Sequence, residues 1–293
     1  MVGARREHLE RLRSYGLRRA EVVMLDRSQE GWLREYLAGM TGGFSFHCPA
    51  FHLEDYPEYP LLASLVDPNR ERQERALEFM RRELDQAAAW GARHLVVHLQ
   101  RNLLMHGEPC PAGWGEREGL NLAVDTVGRL LEASAAVGVP VHLENMMGSP
   151  LLHSPEAYQQ LARALPQVRY CLDVGHAALD ARQFGFTEIE LARAMAPSLA
   201  SLHVYDNWLP AEFDFLGLRE QGLLRKYPVH PAHAGQEGWI DTVGCLREAL
   251  TGAPGALVTF EVYYSMDTNH AETAQGLDWA MEVCREATRA AVS

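Results

Sequence analysis

Lysine is almost missing from this chain of 293 residues: Lys226 is the only one, so the other 26 of the 27 basic residues are arginines. No lysine-rich patch exists, and a formal charge of −12 disfavours nonspecific attraction to nucleic acid. Long apolar runs are missing as well, with nothing approaching the roughly eighteen residues that cross a bilayer. The opening stretch MVGARREHLERLRSYG reads as a charged helix rather than the apolar core of a secretion signal. Both features lead to the expectation of a cytoplasmic protein with no membrane partner. The five cysteines (Cys48, Cys110, Cys171, Cys245, Cys284) form no C-x-x-C pair and are odd in number. That argues against a disulfide scaffold or a thiolate zinc site and fits reduced, structural thiols. Neither G-x-G-x-x-G nor G-x-x-x-x-G-K-[ST] occurs, which leaves the two common phosphate-cradling loops without support.

What the chain does have is an alternation of short apolar runs with long amphipathic stretches from end to end, the pattern of strands and helices around a parallel sheet. Strands are expected at residues 21–25, 43–47, 94–99, 140–145, 168–174, 201–206 and 256–263. Helices are expected near 5–15, 29–39, 68–90, 116–137, 154–164, 187–195, 239–250 and 270–290. The whole span 1–293 reads as one α/β domain, a TIM (β/α)8-type barrel, since a doubly wound sheet typically has fewer units and a glycine-rich first turn.

Seven strands against eight helices leaves the barrel without its first strand. Only residues 1–4 precede the first expected helix, and a barrel strand needs about five. Two closures are open: direct pairing of 21–25 with 256–263, or a gap covered by a partner chain in a homo-oligomer. Three segments, 48–67, 100–115 and 207–238, are too long for plain connections. Each follows a strand C-terminus, the active face of a barrel.

Strand side chains alternate between the helix layer and the barrel interior, so each phase can be read alone. The helix-facing phase is apolar throughout: Phe44 and Phe46, Leu95 and Val97, Val141 and Leu143, Leu172 and Val174, Leu202 and Val204, Phe260 and Val262. The inner phase runs Ser45 then His47, Val96 then His98, His142 then Glu144, Cys171 then Asp173, Ser201 then His203, Thr259 then Glu261. Six strands in register therefore end on His, Asp or Glu. Buried ionisable groups are costly unless paired or bound to metal, so this ring implies a polar cavity. Imidazoles and carboxylates without thiolates suit a divalent metal such as zinc, manganese, cobalt or iron; magnesium fits so much histidine less well. His176, three residues past Asp173, turns back toward the same point if Gly175 makes a tight turn.

Through SFHCP, VVHLQ, HLENM, CLDVGHA, LHVYDN, H-x-x-x-EGWID and FEVYY the chain resembles the xylose-isomerase-like barrels. That superfamily holds sugar and sugar-phosphate isomerases and epimerases and also endonuclease IV. The resemblance implies that Glu144, Asp173, His203 and Glu261 hold the shared metal, zinc or manganese foremost. It matches His47, His98, His176 and a histidine of 230–233 to extra ligands of the multi-zinc nuclease. There the chain departs from the pattern: the nuclease Asp-x-His pair falls on His230 and Ala232, and a one-residue shift presents His233 instead.

Two carboxylates around one metal can each exchange a proton with a carbon next to a polarised carbonyl, which is isomerase or epimerase chemistry with Glu144 and Glu261 as the bases. In the loops, Trp114, Trp208 and Tyr263 are candidates to cover a small-molecule sugar, alongside Tyr56, Phe213 and Tyr264. Arg219, with Arg225 and Lys226, is a candidate for holding a phosphate or carboxylate, unless this run is a solvated helix face. The competing readings are an endonuclease IV-like phosphodiesterase acting on abasic DNA, favoured by the extra histidines, and a keto-polyol dehydratase, which begins with the same proton abstraction.

Overall fold

Every apolar run expected to be extended forms a strand in the structure, a computed structural model that describes residues 15–51, 64–108, 110–261 and 270–292. The strands are β1 (Ala20–Val22), β2 (Phe44–His47), β3 (Leu95–His98), β4 (Val141–Glu144), β5 (Tyr170–Asp173), β6 (Leu199–Val204) and β7 (Leu257–Phe260). They lie side by side in chain order, all parallel, and form a nearly closed α/β barrel of the TIM type. Around them run α1 (Glu30–Ala38), α2 (Arg70–Trp90), α3 (Glu116–Val137), α4 (Pro155–Ala164), α5 (Val174–Phe184), α6 (Glu188–Met195), α7 (Thr242–Gly252) and α8 (His270–Val292). None of these is long and apolar enough to cross a membrane. The expected helix near 5–15 lies outside the described residues.

The two phases sort as the alternation requires. Phe46, Val97, Leu143, Leu172 and Val204 are fully buried in one apolar core between sheet and helices. The opposite phase is mostly polar and, from β2 to β6, equally buried, and pairing keeps it in register: Val96 beside His142, His98 beside Glu144, Asp173 beside His203. Local signals set the helix ends. Asn69 caps α2 by accepting from Arg72 N at 3.1 Å, and Gly91 ends it at φ 73°, a left-handed conformation that favours glycine.

Two expectations need correction. Residues 174–184 carry a helix, α5, that the periodicity did not suggest, because it begins directly at the end of β5 with no loop between. His176 therefore sits in a first helical turn, not in a tight turn made by Gly175, and Asp173 caps that turn by accepting from His176 N at 2.8 Å. The second correction concerns closure: among the described residues β1 and β7 are the two free edges of the sheet and do not pair. Between them lies a cleft of about 310 Å³ lined by both strands, with Arg19, Arg93 and His94 at its margin. A strand occupies about 4.8 Å of sheet width, and among the described residues none fills the place of the missing one. Residues 15–19, the described stretch before β1, form no strand.

The segment after β6 is built rather than loose. Asp206 bridges Tyr227 and Trp208 bridges Trp239, both antiparallel, and a short 3-10 turn spans Phe215–Gly217. A second apolar cluster, including Met146, Leu179, Leu209, Phe215 and Ile240, seats this segment on α5 and the end of β4.

Candidate metal centre

Four of the inner-phase strand termini converge. Ligand atoms of Glu144, Asp173, His203 and Glu261 all lie within 4.8 Å of one another, and all four residues are buried. A second set, His47, His98 and Glu144, satisfies the same limit, so Glu144 belongs to both. Its Oε2 is 2.8 Å from His47 Nε2 and 3.5 Å from His98 Nε2, while Oε1 is 3.4 Å from His203 Nδ1 and from His176 Nδ1.

Burial alone would raise the pKa of Glu144. The imidazoles of His203, His98 and His47 outweigh it and hold the carboxyl well below the usual range. Asp173 is lowered in the same way, burial being overcome by His176 and Lys226. His98 moves down to about 3, because burial disfavours its cation more than Glu144 supports it. A neutral imidazole is the form that binds metal.

The donor set fits a cation. Buried Asp173 Oδ2, His203 Nδ1 and Glu261 Oε2 have no hydrogen-bond partner among the described residues, although such groups in folded proteins nearly always find one. His47 Nδ1 donates to the Cys48 carbonyl at 3.0 Å, which turns Nε2 to the Glu144 carboxylate at 2.8 Å.

Neighbouring residues fix these side chains. Tyr205 Oη donates to Asp173 Oδ1 at 2.8 Å, the same oxygen that caps α5, so Oδ2 is the oxygen turned to the cluster. Asn145 joins the ends of β4 and β5, donating to the Asp173 carbonyl at 3.1 Å and accepting from Asp173 N at 2.7 Å. Below His203, Glu21 Oε1 lies 2.7 Å from Nε2 as an ion-pair contact rather than an aligned hydrogen bond, since both atoms lack a hydrogen-bond partner. Sequence reasoning missed Glu21; the available signal was a lone acid inside the apolar strand EVVML.

The other expected site residues are placed as follows. His176 lies beside the first set, its Nδ1 donating to the Asn145 carbonyl at 2.9 Å and 3.6 Å from Asp173 Oδ2. His230 and His233 join neither set. Both gather at Asp206 Oδ2, His230 through its backbone N at 2.9 Å and His233 through Nδ1 at 2.7 Å, and the His233 ring stacks on Trp239. Trp114 and Trp208 are exposed, the latter lying against Gly238, where a Cβ would come within 2.3 Å of Trp208 Nε1. Phe213 packs against Phe215 in the second apolar cluster. Arg219 is exposed, while Lys226 is turned inward onto Glu261 and Asp173 rather than held on a solvated face. Tyr263, Tyr56 and Tyr264 lie outside the described residues.

The fold is shared with known proteins. A stretch of 123 residues, 40% of this chain, is 30% identical to a probable endonuclease 4 of Symbiobacterium thermophilum and spans 41% of that protein. An L-ribulose 3-epimerase structure superposes at a TM-score of 0.67 with 14% identity, covering 98% of this chain and 92% of the other. The TTHB071 protein of Thermus thermophilus, soaked with zinc chloride, superposes at 0.54 with 23% identity, covering 96% and 93%. Residues 25–283 match the family described as xylose isomerase-like TIM barrel, and the chain belongs to that family.

Proposed function

We propose that the protein is a metal-dependent isomerase or epimerase of a sugar or sugar phosphate, working by proton transfer next to a carbonyl. The observation that carries this reading is the convergence of two carboxylates from separate strands, Glu144 and Glu261, on one point shared with Asp173 and His203. A divalent cation held by these four residues, zinc or manganese foremost, supplies polarisation of a substrate carbonyl and its neighbouring hydroxyl.

The chain's own residues divide the remaining work. His203 and Asp173 hold position, each fixed from behind by Glu21 or Tyr205. Glu261 is the freer base: Oε2, with no hydrogen-bond partner among the described residues, faces the shared point, and Oε1, the oxygen that Lys226 contacts, takes a proton from carbon and returns it. Glu144 has imidazoles on both oxygens, which keep it ionised and make it the weaker base. Trp114 and Trp208 cover the substrate at the mouth, and Arg219 meets its anionic group.

The test is incubation of metal-loaded protein with ketoses and their phosphates in deuterated water. Deuterium should enter the carbon next to the carbonyl, and Glu261→Gln should reduce exchange at least about a hundredfold with metal in excess. Loss of water from the substrate in the same assay would identify the dehydratase. A second reading has its own observation: the His47, His98 and Glu144 set beside the first gives two cation positions sharing one carboxylate, an arrangement suited to phosphodiester hydrolysis. Chelator-sensitive cleavage of an abasic duplex, with no deuterium exchange on any sugar, would select that reading instead.

A further inference from the structure

The one lysine of the chain lies inside the acidic cluster. Lys226 Nζ contacts Glu261 Oε1, is 3.5 Å from Asp173 Oδ2 and lies 4.5 Å from the centre of the Tyr205 ring; its side chain is 11% exposed. The backbone beside it is anchored. Tyr227 exchanges two hydrogen bonds of 2.9 Å with Asp206 at the end of β6, and Asn207 donates to the Leu223 carbonyl at 2.7 Å. Freedom to move therefore resides in the four-carbon stem, not in the segment that carries it.

The two carboxylates that Lys226 joins are half of the set able to hold a cation. An ammonium has three donors and no acceptor, so it can satisfy carboxylates but cannot ligate. A divalent ion and an ammonium that share Asp173 Oδ2 and the Glu261 carboxylate repel strongly in a site with little water. We propose that Lys226 is a built-in counter-ion: in the metal-free protein its ammonium holds Glu261 and Asp173 together, and an entering metal ion displaces it toward the mouth of the barrel. The inference rests on the metal-site reading above. It explains why this one position carries lysine in a chain that otherwise uses arginine: a guanidinium is a rigid, planar fork, whereas an ammonium on a flexible stem can leave two oxygens without moving the backbone. The same contact stabilises the metal-free protein and weakens its affinity for metal.

Calorimetric titration of zinc and of manganese into chelator-treated protein compares the wild type with Lys226→Met. The variant should bind either ion at least about tenfold more tightly and should melt at a lower temperature only when metal-free. Equal or weaker binding overturns the proposal. The wild type gives a readout that needs no variant. Amine acetylation followed by peptide mass spectrometry reports on Lys226 alone among side chains, and it should be slow without metal and faster with zinc. The same rate in both states overturns the proposal. If the wild type takes up neither ion, the metal-site reading falls and the proposal with it; uptake with no effect of Lys226 sinks the proposal alone.

Discussion

Beneath His203, on the side away from the converging ligands, Glu21 decides what the ring can offer. Imidazole has two nitrogens, and whatever holds one of them sets the direction and basicity of the other. Glu21 reaches Nε2 of His203, accepts from Ser45 Oγ at 3.3 Å and lies 3.9 Å from His94 Nε2. Burial would raise its pKa, yet His203, His47 and His94 hold it well below the usual carboxylate range, so it faces the ring as an anion. Glu21→Gln keeps the size and removes the charge. It should lower metal affinity by about ten- to a hundredfold while the circular dichroism spectrum stays that of the wild type. Unchanged affinity would show that Glu21 only packs the floor of the barrel. The convergence of Glu144, Asp173, His203 and Glu261 was legible at this scale because each lies at the end of a strand in the same phase. Glu21 was not, because β1 is three residues long and too short to display an alternation. His230 and His233 join neither set: proximity in sequence to the EGW turn says nothing about where their rings point, and Asp206 holds His233 by its ring and His230 by its backbone N.

Strands and helices differed in legibility for a physical reason. A strand that is apolar on one face and polar on the other prints a period of two, and all seven strands did so or came flanked by turns. Helix α5 prints no period of its own, since all of Val174–Ala181 is buried, His176 and Asp180 included, and a helix buried all round has no distinguishable face. Its second residue carries the consequence. Gly175 does not have a positive φ; it is small because a Cβ there would come within 2.3 Å of Tyr205 Oη. That hydroxyl fixes Asp173, so the glycine, the tyrosine and the aspartate form one unit. Alanine is the better helix former by about 1 kcal/mol, yet Gly175→Ala should destabilise the protein by roughly 1–3 kcal/mol, because Tyr205 is buried and has nowhere to retreat. The variant should also bind metal more weakly, with Asp173 released from Tyr205. Denaturant unfolding and a zinc titration read the two effects, and a variant as stable as the wild type would mean that the Tyr205 ring can shift freely.

At the scale of the molecule the seam between β1 and β7, which no described residue fills with a strand, is the departure from a complete barrel. Edge strands expose a row of backbone donors and acceptors, and this seam borders the layer that holds Glu21 and His94. All four residues of β7 are partly exposed, whereas all four of β4 are buried. In a parallel strand alternate residues direct their amides to the same neighbour. Glu261 N donates to Val204 O at 3.0 Å on the β6 side, so the amide of Val258, an odd number of residues away, points to the seam. Leu143 N, by contrast, donates to Arg169 O at 2.8 Å in the middle of the sheet. Native-state hydrogen exchange should therefore find Val258 exchanging at least on the order of a hundredfold faster than Leu143, independent of protein concentration. Equal protection of the two would show that the seam is covered. Protection that fades on dilution, together with a dimer in sedimentation, would identify a second copy of the chain as the cover; protection at every concentration would assign the cover to the chain itself. An open seam also separates two routes for stability: metal binding would tighten the β4 to β7 side through Glu144, Asp173, His203 and Glu261, and would leave exchange at β1 changed only through the Glu21–His203 contact.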